Sequence, residues 1–458
     1  MRRLATAFSF ATALSLTSAA SNAANVILIV GDGMDDQQVT IARDYLKGAN
    51  GQLLMDTLPV RGAVQILTVE DSLEGKPVYV ADSANTATSL ATGVVTSRGR
   101  IATSAGDDRD LPTIAELAKA AGLRTGVVST ASVTDATPAS FAAHVSYRMC
   151  ESPELMADIT YAGVHLGDCK QDMKANGGPG SISEQLAASG LDVLLGGGAK
   201  HFQSAVEGGT ESVLRSAQLN GFNVLRKRDE LLAAQPGERL LGLFSPGTMP
   251  VRLRGEDGRL AEAPRPSLLN RIHEYLGSVE LPEPMHCEPN PDAAGMPSLQ
   301  EMTDVALQQL SHNNERGFFL MVESASIDKQ SHERKPCGSI GELEQLNEAL
   351  ASALAFAEQH PDTLVLVTAD HSQAAQLIPQ RSMFEAYTIP VYTPGKLARI
   401  ITPEGSIMGV NYATNDFGYE EHTGANVPLY ANAAAEGRVN TFQRQPELFG
   451  IMRDFLGL

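Results

Sequence analysis

Seven short runs of apolar, mostly branched residues punctuate the chain at 26–30, 63–67, 126–129, 193–195, 318–322, 364–367 and 389–392, each bounded by Gly, Asp or Thr. Runs that are apolar at successive positions, rather than alternating, predict strands buried on both faces. Between them, stretches with helical spacing at 113–121, 298–310 and 340–359 predict amphipathic helices. This alternation predicts an α/β fold: a central, mostly parallel β-sheet flanked by helices on both faces. Residues 260–296 break the pattern. They are rich in Pro and acidic residues and carry no clean period, so a peripheral insertion is expected there within a single domain spanning 24–458.

In an open α/β sheet, ligands collect just beyond the carboxyl ends of the strands. The polar clusters of this chain fall there. Asp32 follows the first run in Gly31-Asp32-Gly33-Met34, Glu323 ends the run at 318–322, and Asp370 and His371 follow the run at 364–367. Asp328 and His332, four positions apart, share a face if their segment is helical. With the late His422, the chain offers three histidines and several carboxylates and no thiolate nearby, a mixture that suits zinc at His-rich positions and magnesium at oxygen-only ones.

Asp82-Ser83-Ala84 precedes a run of small residues ending at Gly93. An extended segment turning into a helix places the Ser83 hydroxyl at the positive helix end, where a phosphate is received. The same dipeptide also reads as an ordinary helix N-cap.

Composition narrows the setting. Apolar residues make up 43% of the 458, enough for a large core, and the formal charge of −19 disfavours nucleic acid and anionic membranes as partners. The N-terminus has Arg2-Arg3, an apolar stretch from Leu4 to Leu16, then Ser21-Asn22-Ala23, the pattern of a secretory signal peptide over residues 1–23. Export is expected, with no membrane anchorage after cleavage. Four cysteines in an exported chain favour disulfides. Of the three connectivities, Cys150 with Cys169 and Cys287 with Cys337 closes the shortest loops.

Taken in order, Gly31-Asp32-Gly33-Met34, Asp82-Ser83-Ala84, Thr134-Asp135-Ala136-Thr137-Pro138-Ala139, Val322-Glu323-Ser324-Ala325-Ser326-Ile327-Asp328-Lys329-Gln330, Ala369-Asp370-His371 and Glu421-His422-Thr423-Gly424 resemble the motifs of the bacterial alkaline phosphatases. The likeness runs from about Asn25 to Leu458. It includes Ala143-His144-Val145-Ser146-Tyr147-Arg148 and all four cysteines, as in the periplasmic branch, and so implies export to the periplasm. The resemblance implies a three-layer sandwich and hydrolysis of phosphate monoesters through a phosphoserine at Ser83. It further implies one zinc held by Asp328, His332 and His422, and a second held by Asp32, Asp370, His371 and Ser83. A magnesium would be held by Asp32, Thr137 and Glu323. Arg148 would grip the phosphate, Lys329 would reach it through water, and Asp135 would stand behind the magnesium. His144 is read as structural. Gln373 departs from the pattern, standing where the best-known periplasmic enzyme has a histidine supporting a zinc ligand.

Two other readings are weighed. A diesterase or sulfatase of the same superfamily is disfavoured by Arg148 and by the absence of a Cys/Ser-x-Pro-x-Arg element, and a non-catalytic exported phosphate- or metal-binding protein would have lost Ser83 or a ligand. A shallow site gripping mainly phosphate would have no strong leaving-group preference. Cleavage after Ala23 leaves two residues before the first strand, a reach of roughly 7 Å. The resemblance implies a homodimer, and with so short a lead one without N-terminal arm exchange is expected, a monomer being the alternative.

Overall fold

The computed structural model describes residues 23–161 and 163–458, so the expected signal peptide, all but its last residue, lies outside the described residues. Ten strands form the central sheet: β1 (Ala24–Gly31), β2 (Val60–Gln65), β3 (Arg124–Ser132), β4 (Val193–Gly197), β5 (Phe222–Leu225), β6 (Arg239–Leu243), β7 (Gly317–Ser324), β8 (Thr363–Ala369), β9 (Val427–Ala431) and β10 (Phe442–Arg444). Their spatial order is β10-β2-β9-β8-β1-β7-β3-β4-β6-β5. β9 runs antiparallel to both neighbours, β8 and β2, and every other pair in the sheet is parallel. The apolar runs of β1, β7 and β8 are buried throughout, as strands covered on both faces must be.

Helices α1 (Asp36–Lys47), α2 (Ser83–Thr92), α3 (Ile114–Ala120), α4 (Ala136–Ala139), α5 (Leu299–Ser311), α6 (Ser326–His332), α7 (Pro336–Gln359) and α8 (Gln445–Leu456) supply the outer layers. α7 packs on α1, α5 and the central strands, while α8 packs on α2, α3 and β1, so the two groups cover opposite faces. The predicted helices at 113–121 and 298–310 are α3 and α5. Their first residues act as N-caps: Thr113 accepts from the Glu116 N–H at 3.2 Å and Ser298 from the Glu301 N–H at 3.1 Å. α7 begins four residues earlier than predicted because Pro336 sits in its first turn, where a missing N–H costs nothing.

Two predicted strands need correction. The run at 63–67 forms a strand three residues earlier, as β2. Residues 389–392 form none: Pro390 has no N–H to give a ladder, and its carbonyl accepts instead from Asn270 Nδ2 at 3.2 Å. The strand signal there belongs to the following segment, Lys396–Ile401, which joins Ile407–Tyr412 and Gln376–Ile378 in a small separate sheet. Strands β5, β6, β9 and β10 were not anticipated.

Within 260–296, a short ladder between Arg265–Pro266 and Val279–Glu280 encloses the helix Leu268–Ile272, and Cys287–Pro289 pairs with Leu253–Gly255. Disulfides join Cys150 to Cys169 and Cys287 to Cys337, with Cα atoms 6.4 and 5.4 Å apart, the sequential pairing. The second ties the Cys287 strand to the first turn of α7. Among the described residues no helix is long and apolar enough to cross a membrane.

Leu28 is wholly buried in β1, between β7 and β8. Leu28→Ala should cost about 2–5 kcal/mol through lost burial and the cavity left behind. Urea unfolding should show a lower midpoint with an unchanged slope; an unmoved midpoint would contradict the central place of β1.

Candidate active site

Parallel register aligns the chemistry. Val30 of β1 faces Glu323 of β7, Gly31 faces Ala369 of β8, and Glu323 faces Ser129 of β3. Asp32, Glu323 and Asp370 therefore emerge side by side at the carboxyl edge of the sheet. All are buried, as is Asp328 in the first turn of α6.

Ser83 opens α2, and Asp82, not Ser83, is the cap. The Asp82 carboxylate accepts the Asn85 N–H at 3.1 Å, and Asn85 Oδ1 accepts the Asp82 N–H at 2.9 Å. The cap and nucleophile readings thus fall on adjacent residues. The Ser83 hydroxyl lies 3.1 Å from His371 Nε2 and 3.5 Å from Asp32 Oδ1.

The three histidines are oriented by backbone carbonyls. His332 Nδ1 meets the Glu420 carbonyl at 2.5 Å, His422 Nδ1 the Ala81 carbonyl at 2.9 Å, and His371 Nδ1 the Ser372 carbonyl at 3.2 Å. A carbonyl only accepts, so each Nδ1 carries a proton and each ring turns its Nε2 inward. His332 Nε2 and His422 Nε2 stand 3.0 Å apart, and Asp328 oxygens lie 3.3 and 3.2 Å from them. Two facing lone pairs at that distance fit a shared cation. Asp32, Asp328 and His371 form a second group whose ligand atoms lie within 4.8 Å of one another. Asp328 therefore stands between the two expected zinc sets rather than in the first alone.

Asp370 completes the picture with one oxygen used and one not. Its Oδ1 accepts the N–H groups of Gly33 and His371 at 2.9 and 2.8 Å, while its Oδ2, 3.4 Å from His371 Nε2, makes no hydrogen bond among the described residues. Thr137 Oγ1, in α4, is likewise buried without a partner. Both orphaned atoms belong to expected ligand sets, and burial without a partner is costly unless something absent from the chain supplies one. Glu323 accepts from Ser129 Oγ at 2.5 Å. Burial pushes its carboxyl up to about 8, and burial with the charges of Asp328 and Asp370 raises Asp32 well above the usual range. These are carboxylates that need a cation to stay ionised.

The phosphate-binding candidates form a chain. Arg148 spans Asp135, at 3.0 Å, and Asp82, at 3.3 Å; Lys329 Nζ reaches the other Asp135 oxygen at 2.5 Å. Against the effect of burial, Lys329 and Arg148 hold the Asp135 carboxyl far below its ordinary value. Arg148, Lys329 and Ser83 line one cavity of about 700 Å³. Residues 248–251, 254–255, 258–259, 290 and 292 line the same cavity. His144 sits away from it, bonded to Glu116 at 2.9 Å and the Ala102 carbonyl at 3.0 Å.

Several supporting residues escaped sequence reasoning. Arg334, 1% exposed, pairs with the buried Glu420 at 2.6 Å and bonds the Gly418 and Asn415 carbonyls, fixing the loop that carries His422. Glu342 in α7 accepts from Thr130 and Ser324 hydroxyls beneath the β3 and β7 ends. Gln373, the noted departure, donates through Nε2 to Asp328 Oδ1 at 2.7 Å, so a hydrogen bond to a ligand carboxylate persists.

A family model described as Alkaline phosphatase matches residues 23–394. The streptomycin-6-phosphate phosphatase of Streptomyces griseus is 42% identical over 451 residues, covering 95% of this chain and 91% of that protein. The alkaline phosphatase of Escherichia coli (strain K12) is 38% identical over 444 residues, covering 95% and 86%. The solved alkaline phosphatase of the Antarctic bacterium TAB5 shares the fold, with a TM-score of 0.65 at 22% identity, over 94% of this chain and 98% of that one.

Gln373→Ala removes the donor that orients Asp328. Metal affinity should fall about 10–100-fold, the usual effect of losing a support behind a ligand. Competition against a chromogenic zinc chelator reads it directly, with Gln373→His retaining affinity; equal affinity in Gln373→Ala would remove the role.

Proposed function

The chain belongs to the alkaline phosphatase family and hydrolyses phosphate monoesters, and from that premise we propose that Ser83 is the nucleophile of a double displacement at phosphorus. The observation that carries the reading is the meeting of Ser83 Oγ, His371 and Asp32 in one buried, cation-demanding cluster beside Arg148. The donor sets fit zinc at Asp328, His332 and His422, zinc at Asp32, Asp370 and His371 with Ser83, and magnesium at Asp32, Thr137 and Glu323. The orphaned Asp370 Oδ2 and Thr137 Oγ1 support those two latter sets. When bound, such ions lower the pKa of a serine hydroxyl and stabilise both the entering and the departing oxygen of an in-line displacement.

The residues divide the remaining work. Ser83 Oγ bonds to phosphorus as the bond to the leaving oxygen breaks; its proton goes to solvent, the alcohol takes one up, and a phosphoserine remains. Water then attacks the phosphoserine, releasing inorganic phosphate and restoring the hydroxyl. No acid or base follows Ser83 in its own motif, so its activation rests on the ligand cluster. Asp82 and Asp135 hold the Arg148 guanidinium from two sides, and this preorganised fork donates to two non-bridging oxygens of a dianionic monoester. A diester offers one fewer charged oxygen and a bulkier substituent. Lys329, held on Asp135, adds positive charge through water, and that carboxylate keeps the magnesium side rich in oxygen ligands. Two disulfides support an exported, periplasmic protein. Its assembly is read from the family likeness as a homodimer, with a monomer as the alternative.

Ser83→Ala should abolish the acid-stable phosphoenzyme trapped from labelled substrate; label recovered on another residue would overturn the assignment. Arg148→Ala should raise the inhibition constant of inorganic phosphate about 10–100-fold, the effect of losing a charged hydrogen-bonding partner, and narrow the preference for monoesters over diesters. Chelation should remove activity, with zinc restoring it and magnesium adding to it; full activity with magnesium alone would refute the zinc sets.

A further inference from the structure

The cavity that holds Ser83 and Arg148 is much larger than a phosphoryl group requires. Pockets of about 300–1,000 Å³ take whole small molecules, and this one encloses about 700 Å³. Ser83, Arg148, His332 and His422 line it where a phosphoryl group would sit, with Tyr419 against His332; Thr248, Arg254, Arg259, Asp292 and Lys335 line the same cavity and are left for a leaving group.

The charges on that second set are not arranged for an anion. Arg254 is held by Glu288 at 2.8 Å, Arg259 by Glu262 at 2.8 Å with further bonds to the Pro284 and Glu283 carbonyls, and Lys335 by Glu333. Each cation is already answered by a carboxylate. Asp292 has no such answer: its backbone N–H bonds Asn290 Oδ1 at 3.2 Å, and its carboxylate has no ion pair or hydrogen bond among the described residues. The wall is thus polar, able to donate and accept, and carries an uncompensated negative charge. Tyr419, 55% exposed with its ring centroid 5.6 Å from that of His332, adds an aromatic face beside the phosphate end.

Resting on the phosphatase reading above, we propose that the part of this cavity lined by Arg254, Arg259 and Asp292 is a leaving-group subsite for a hydroxylated ring carrying a cationic amine, the phosphate esters of aminosugars and aminocyclitols. Ring hydroxyls find the paired side chains, the amine finds Asp292, and a second phosphate on the leaving group is repelled.

The test compares kcat/KM of the metal-loaded enzyme for glucosamine 6-phosphate, glucose 6-phosphate, fructose 1,6-bisphosphate and p-nitrophenyl phosphate. The amine should favour glucosamine 6-phosphate over glucose 6-phosphate by about two- to five-fold at low salt, the range an exposed ion pair supplies, and the bisphosphate should be the poorest sugar ester. Asp292→Asn, or high salt in the parent enzyme, should bring the amine-to-hydroxyl ratio to one. Thr248→Trp, which fills that part, should lower both hexose phosphates relative to p-nitrophenyl phosphate. Equal kcat/KM for the two hexose phosphates, or a ratio unmoved by Asp292→Asn, overturns the subsite and leaves the phosphatase reading standing. No phosphate released from any of the four esters overturns both.

Discussion

Four buried carboxylates, Asp32, Glu323, Asp328 and Asp370, none more than 4% exposed, share one edge of the sheet, and everything around them answers to that crowding. Like charges brought together out of water repel strongly and are each expensive to desolvate. The chain's own cations do not resolve it. Lys329 and Arg148 are both drawn to Asp135, and Arg148 also to Asp82, so their charge is spent one layer away from the crowd. What remains is a concave set of oxygens and imidazole lone pairs that only added cations satisfy. Sheet register makes this tolerable, because strands locked by hydrogen bonds on both sides do not splay apart to relieve repulsion.

The same logic explains the loop that brings His422 back to the cluster. It leads into β9, and its geometry is fixed by the buried Arg334–Glu420 pair and by Thr414, whose N–H and hydroxyl both donate to Glu420. Breaking one member of such a buried pair strands a charge and typically costs about 3–5 kcal/mol. Glu420 thereby serves twice: its side chain anchors the loop and its carbonyl orients His332. One residue thus links the positions of two histidines that face each other at 3.0 Å.

Legibility in the sequence followed the range of the interactions. β1, β3, β7 and β8 were readable because a strand buried on both faces writes an unbroken apolar run, and Asp32, Glu323 and Asp370 were readable as the polar residues that end those runs. β2 and β10 lie toward one edge of the sheet, half-exposed and weakly patterned, and β2 was displaced by three residues. Residues 389–392 carried apolar side chains but a proline backbone, and the missing donor prevailed. Arg334 and Glu420 left no trace, being 86 positions apart with no local spacing to betray a pair. Much of the cavity lining was hidden for the same reason: residues 248–259, 290–292 and 330–335 are brought together by the disulfide, strand pairing and long-range hydrogen bonds that fold the segment containing Cys287 back onto α7.

The ambiguity at Asp82-Ser83 shows how a local rule and a functional demand can be satisfied together. A helix start leaves N–H groups needing acceptors, and a serine in the cap position would surrender its hydroxyl to them. Here Asp82 takes the Asn85 N–H and, with both oxygens, the Gly99 N–H at 3.1 Å, while still reaching Arg148. Ser83, one residue into the helix, keeps its hydroxyl turned toward His371 and Asp32. The carboxylate that caps the helix also braces the arginine beside it. Ser83 and Arg148, the proposed nucleophile and phosphate clamp, are thereby held beside one another by a single aspartate, which ties the capping residue to the geometry of the site as well as of the helix.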